Sequence, residues 1–357
     1  MKKGIGVGIE DFKKIIEEDC YYFDKTNYIE ELLKDRTEIK LFTRPRRFGK
    51  TLNMTTLKYF FDVKNAEENR KLFKDLYIEK SEYFKEQGQY PTIFITLKDT
   101  KKNNWEECYS KIKIILRDLY EEHSYIKDKL SINEKEEYDK ILFKKDDAEY
   151  DNALLNLTKY LYNYYQKKVV LLIDEYDSPL ITANQFGYYK EAINFFRDFL
   201  SSALKTNSNL KMGVLTGIVQ VAKEGIFSGL NNVKTYNILG DKFEIFFGLS
   251  EEEVEEALKY FEMTYEIEEV KRWYDGYKFG NSEVYNPWSI VNYLSDRGLQ
   301  AYWVNTSDNA LIYDNLKNST VDVFKDLEAL FEGKAIKKEI SPFFTFEELS
   351  KFDGIWQ

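Results

Sequence analysis

The chain has 357 residues, enough to bury a substantial core as one large domain or two unequal ones. Its 52 basic and 62 acidic residues leave a net charge of −10, which argues against sequence-independent nucleic-acid binding by the whole surface and leaves room only for a local basic patch. Isolated Cys20 and Cys108 and the lone His123 suggest neither a disulfide framework nor an ordinary zinc site, and the lack of a cleavable leader or an apolar run of roughly 18 residues makes a reducing cytoplasm the simplest compartment.

In chain order, the first strong element is a short apolar strand at 39–43. It runs through a basic loop into a helix marked by Met54, Leu57 and Phe61. A second strand is expected at 92–97 and a helix at 104–122, with Ile112, Ile115, Leu116 and Leu119 on one face. The charged stretch from Lys127 to Glu149 reads as an exposed, solvated helical insertion, and Leu154, Leu157 and Leu161 mark a helix at 148–165. The continuous apolar run at 169–174 is the pattern of a strand buried on both faces. A helix at 188–204 and strands at 211–216 and 242–247 follow. Strands alternating with helices predict an α/β fold with a parallel sheet flanked by helices.

The last third changes character. Ser250 and Glu253 form a capping box ahead of one helix, and a second helical pattern runs to Trp273. Asp275-Gly276 and Gly280-Asn281 are turn signals flanking a hairpin. A Pro287-initiated helix, an aromatic strand at Tyr302–Val304 and a helix from Asp308 to Leu316 complete the region.

The loop Arg44-Pro-Arg-Arg-Phe-Gly-Lys-Thr51 carries the working end of the phosphate-binding pattern G-x-x-x-x-G-K-[ST], with arginine where the first glycine is normally found. Gly49 lets backbone approach an anion, Lys50 brings a positive charge, Thr51 offers a hydroxyl to Mg2+, and the following helix adds its dipole. Arg44, Arg46, Arg47, Phe48, Gly49, Lys50, Thr51 and Leu52 are the candidate nucleotide contacts. Downstream, Lys167-Lys-Val-Val-Leu-Leu-Ile-Asp-Glu-Tyr-Asp177 ends its strand in paired carboxylates, where α/β sheets place ligands. Asp174 is expected to hold Mg2+ and Glu175 to polarise the attacking water.

Several ordered segments resemble the bacterial AAA-ATPase-like family: the phosphate loop, Gly8-Ile-Glu-Asp-Phe12, Tyr22-Phe-Asp-Lys-Thr-Asn-Tyr-Ile29, Leu172-Ile-Asp-Glu-Tyr-Asp177, Ser228-Gly-Leu-Asn-Asn232, Trp273-Tyr-Asp-Gly-Tyr277 and Tyr285-Asn-Pro-Trp-Ser289. The resemblance covers about residues 4–340. It implies an additional-strand, AAA+-like P-loop NTPase fold with a C-terminal helical or winged-helix lid. The implied divisions are 1–248 for the ATPase domain, 249–331 for the lid, and 332–357 for a linker towards a PD-(D/E)xK nuclease domain that the family often carries. Lys337 to Phe344 and Phe352 to Trp356 resemble only the approach to that domain, and no complete nuclease set is present. The resemblance also implies ATP and Mg2+ as ligands, Thr216 as the polar sensor, Asp24, Lys25 and Thr26 as base contacts, and Arg272 as the lid's return arginine. Thr216 equally fits plain β-propensity, Lys25 also fits a plain surface charge, and an arginine such as Arg272 is more often a surface helix residue.

The favoured function is Mg2+-dependent ATP binding with slow hydrolysis, driving a conformational switch that regulates a protein partner or a separate nuclease effector. The alternatives are a nucleotide-binding regulatory module that does not hydrolyse, and an ATPase subunit of a nucleic-acid-processing defence or mobile-element system. Oligomeric state is left open.

Overall fold

The computed structural model describes residues 2–220, 231–263, 267–304, 316 and 321–338. The centre is a five-stranded, all-parallel sheet of β1 (Ile39–Thr43), β2 (Thr92–Thr96), β3 (Val169–Asp174), β4 (Leu210–Gly217) and β5 (Val233–Tyr236), in the spatial order β2-β3-β4-β1-β5. β4 therefore lies between the phosphate-loop strand β1 and the acidic strand β3, which is the additional-strand arrangement expected.

Helices cover both faces. In chain order they are α1 (Phe12–Glu17), α2 (Asn27–Lys34), α3 (Lys50–Phe61), α4 (Ala66–Arg70), α5 (Trp105–Glu122), α6 (Ile132–Leu142), α7 (Ala153–Tyr165), α8 (Ser178–Phe186) and α9 (Tyr189–Leu204). β3 shows why its sequence is continuously apolar. Val169, Leu171 and Ile173 enter the core shared with α5, α7 and α9, while Val170 and Leu172 enter the opposite core beside α3. All five side chains are fully buried, a gross transfer contribution of roughly 10 kcal/mol at about 2 kcal/mol each.

Four strands match the sequence pattern, and the fifth does not. Lys242–Phe247 is a corner, not a strand: Phe243 sits at φ 64°, and Glu244–Phe246 form a single 3-10 turn. Its phenylalanines are hydrophobic because Phe243, Phe246 and Phe247 pack around Tyr28 and Phe42. The fifth strand is β5, a short edge strand that pairs with β1 and bears the exposed Lys234. The 127–149 stretch is helical at α6 but is not simply solvated, since Leu130, Tyr138 and Ile141 are buried in the main core.

The C-terminal region has its own core, with Val254, Leu258, Val270, Tyr274, Ile290 and Tyr293 at its centre. It comprises α10 (Glu251–Tyr260), α11 (Ile267–Tyr274), a hairpin of β6 (Asp275–Phe279) and β7 (Ser282–Tyr285), and α12 (Pro287–Asp296). The Ser250/Glu253 capping box forms in full. The tight turn lies at Gly280-Asn281, whereas Asp275-Gly276 opens β6 beside a register shift. Tyr302–Val304 is a turn, with the Tyr302 carbonyl accepting from Trp288 Nε1. A last helix, α13 (Val321–Phe331), follows. The expected helix from Asp308 apart from its last residue, Leu316, the Ser228–Leu230 part of the family segment and the stretch from Glu339 onward lie outside the described residues. Among the described residues, no helix is long and apolar enough to cross a membrane.

Candidate functional site

The parallel register brings the carboxyl ends of β1, β3 and β4 together: Phe42 lies opposite Thr216, and Thr43 opposite Gly217. The chain leaving β1 forms the loop 44–49, with Arg47 at φ 65° and Gly49 at φ 72°, and then enters α3. Left-handed backbone is routine for glycine and costly for arginine. These two positions turn the loop in place of the missing first glycine. Lys50, at the first turn of α3, folds back so that Nζ donates to the carbonyl oxygens of Arg44 at 3.0 Å and Pro45 at 2.7 Å.

Asp174 ends β3 fully buried, and both of its oxygens accept from hydroxyls. Thr51 Oγ1 donates to Oδ2 at 2.8 Å, and Thr216 Oγ1 donates to Oδ1. Thr216 Oγ1 in turn accepts from the Glu175 amide at 3.4 Å. Glu175 adopts φ 52° and places Oε2 within 3.2 Å of the Ser178 hydroxyl and 4.0 Å of Lys101 Nζ. The structure thus joins Lys50, Thr51, Asp174, Glu175 and Thr216 in one cluster. A buried carboxylate beside a threonine hydroxyl is a hard-oxygen donor set of the kind Mg2+ takes. Burial drives the Asp174 carboxyl upward against its two hydroxyl donors. Burial also pulls the Lys50 ammonium down to about 8, although Asp177, Glu175 and Asp174 draw it upward and Arg46 opposes them.

The other predicted residues divide. Arg44 is fully buried and turned inward, away from the loop's phosphate face. Its guanidinium donates to the carbonyls of Thr43, Tyr236 and Phe243, and lies 5.0 Å from the Phe247 ring and 5.3 Å from the Phe279 ring. Phe48 is buried against Tyr277, Phe279 and Val284 of the hairpin. Arg46 is close enough to Lys50 to depress its pKa, while Arg47 stacks on Trp288 at 3.9 Å.

Beside the loop, a largely apolar cavity of about 110 Å³ is lined by Gly49, Leu52, Tyr22, Phe23, Leu249 and Val291, among others. Lys25 also lines it, with Nζ donating to Glu253 at 2.6 Å and to the Ile245 carbonyl at 2.8 Å. Asp24 and Thr26 are outside its lining and hold the chain instead. Asp24 accepts from the amides of Thr26 and Tyr77, and Thr26 Oγ1 accepts from the Ile78 amide. Arg272 is exposed on α11, its Nε donating to the Glu268 carbonyl of the same helix.

Sequence reasoning passed over Asp177, Asn53 and Trp288 as site residues. Asp177, buried beside the cluster, accepts from the amides of Ile218 at 2.7 Å and Val219 at 2.9 Å, immediately beyond β4. Burial raises its carboxyl to about 6 despite those donors and Lys50. Its signal was a third acid closing an apolar strand. Asn53 ties α3 to the Phe246 carbonyl at 2.9 Å. The signal at Trp288 was its place in the family-like segment Tyr285-Asn-Pro-Trp-Ser289.

Strand order, a lysine folded under a left-handed glycine, and an acid bridging two threonines together define an α/β nucleotide-binding protein of the P-loop kind. A family model described as predicted AAA-ATPase matches residues 6–227, and the chain belongs to that family. The uncharacterized protein in the vnfD 5′ region of Azotobacter chroococcum mcd 1 is similar, at 25% identity over 322 residues that cover 88% of this chain and 56% of the relative. The chain spans about half the length of that relative. No solved structure matches the chain.

Proposed function

We propose that the chain binds ATP with Mg2+ and hydrolyses it slowly, using the cycle to change how the C-terminal region sits on the sheet and so to regulate a partner or effector. The observation that carries this reading is the Asp174 carboxylate joining Thr51 and Thr216 beside Lys50 and Glu175. On phosphate binding, the Lys50 ammonium exchanges its two carbonyl acceptors for phosphate oxygens, and the first amides of α3 point at the same anion. Thr51 and Asp174 would hold Mg2+, which when bound neutralises phosphate charge. Glu175 orients and deprotonates the attacking water, while Thr216 fixes the Glu175 backbone. The apolar cavity takes the base, with Lys25 at its wall. Turnover is slow because the resting Glu175 carboxylate holds the Ser178 hydroxyl and faces Lys101, and must be released first. We assign 1–248 to the ATPase unit and 249–331 to the lid.

Steady-state and single-turnover hydrolysis of MgATP by wild type, Lys50→Ala and Glu175→Gln tests the reading. Lys50→Ala should lose binding, and Glu175→Gln should bind ATP yet turn over about 10²-fold more slowly. Wild-type binding without turnover would leave a nucleotide-gated module; no binding at all would remove the proposal.

A further inference from the structure

Three residues of the phosphate loop are braced by residues far downstream. Arg44 lies against Phe279, Phe48 is buried under Tyr277, Phe279 and Val284, and Arg47 stacks on Trp288. Of these, Arg47 is the strained position: an L-residue with a branched, charged terminus held at φ 65°, where glycine would sit without cost. Its side chain is exposed, so burial does not hold it there. The platform is rigid. Trp288 Nε1 donates to the Tyr302 carbonyl at 3.1 Å, and α12 starts with Pro287 behind an Asn286 cap that accepts from the Ser289 amide at 3.0 Å. An arginine face 3.9 Å from an indole is a close cation–π geometry.

We propose that Trp288 is a positioning residue of the nucleotide site: by stacking on Arg47 it holds the left-handed turn that aims the loop amides, and so makes nucleotide affinity depend on docking of the C-terminal region. The role rests on the ATP-binding reading above. Linkage makes it reciprocal, so phosphate in the loop also tightens α12 onto the sheet.

The test is a double-mutant cycle of Trp288→Leu and Trp288→Phe in wild-type and Arg47→Gly backgrounds, read by MgADP affinity and by amide hydrogen exchange of residues 46–50 without nucleotide. Trp288→Phe keeps an aromatic face and should stay within about twofold of wild type in affinity, while Trp288→Leu should weaken MgADP about fivefold, the order a cation–π contact at an exposed site supplies. Both readouts should become insensitive to position 288 once Arg47 is glycine. An equal loss for Phe and Leu, or the same loss in the Arg47→Gly background, would overturn the assignment in favour of simple packing. If wild type binds no MgADP, the ATP reading fails by itself, and the nucleotide-free exchange cycle still decides whether Trp288 governs the loop.

Discussion

Arg44→Gly would restore the glycine that phosphate-binding loops usually carry, and the structure predicts harm from it. The side chain donates three hydrogen bonds to buried carbonyls, at 2.7–3.1 Å, and faces two aromatic rings. Charged hydrogen bonds at about 2 kcal/mol each give roughly 6 kcal/mol, and the ring contacts add about 1 kcal/mol. Against this stands the desolvation of the guanidinium, which outweighs the opposing pull of Tyr28 and Glu244 and lowers its pKa to about 10; a shift of that size corresponds to roughly 3 kcal/mol. The net loss is about 4 kcal/mol, or roughly 5 °C in Tm for a chain of this size. Arg44→Met, which keeps the stem and leaves the carbonyls without a donor, should fall in between. The assay is thermal unfolding followed by circular dichroism, with MgATP affinity measured in parallel. An Arg44→Gly protein as stable as wild type, or one that binds ATP more tightly, would refute the view that this arginine is an internal brace.

Two further outcomes follow from the groups around the sheet end. Burial raises Asp177 to about 6, so its share of stability is complete below the unfolded carboxyl range and is lost as pH rises through about 6. Asp177→Asn should therefore gain roughly 1 kcal/mol relative to wild type between about pH 5 and pH 8, measured by urea unfolding; a pH-independent difference would contradict this. Gly217→Ala would place a Cβ 2.6 Å from the Tyr176 ring and 2.9 Å from the Asp177 carboxyl. It should cost about 1–3 kcal/mol, and by displacing the neighbouring Thr216 should slow the proposed hydrolysis about tenfold; an active, fully stable Gly217→Ala would show that this contact does not fix the end of β4.

What was legible in the sequence was whatever chemistry or two-sided burial dictates residue by residue. β3 is buried on both faces, which forces a continuous apolar run, β1 is equally buried and apolar apart from Lys40 and Thr43, and the Lys50-Thr51 and Asp174-Glu175 pairs sit where phosphate and metal chemistry require those types. β5 was missed because an edge strand with one exposed lysine has no such pattern. The aromatic run at 242–247 misled because burial at a corner and burial in a strand look alike in composition. The direction of a side chain was equally hidden. Arg44 read as a nucleotide contact, yet its acceptors are carbonyls of β1, β5 and the 243 corner, which local sequence does not bring together.

The bracing of the loop by the distant hairpin also sets an order of events during synthesis. β1 leaves the ribosome early, but both of its sheet neighbours, β4 and β5, and the rings that enclose Arg44, Phe48 and Arg47 are made far later. Loop closure over such separations is slow, and an unpaired central strand is a target for mispairing in the meantime. A nascent chain therefore carries the phosphate-loop residues long before it carries the loop's shape. The finished loop thus marks a chain whose folding has reached the hairpin.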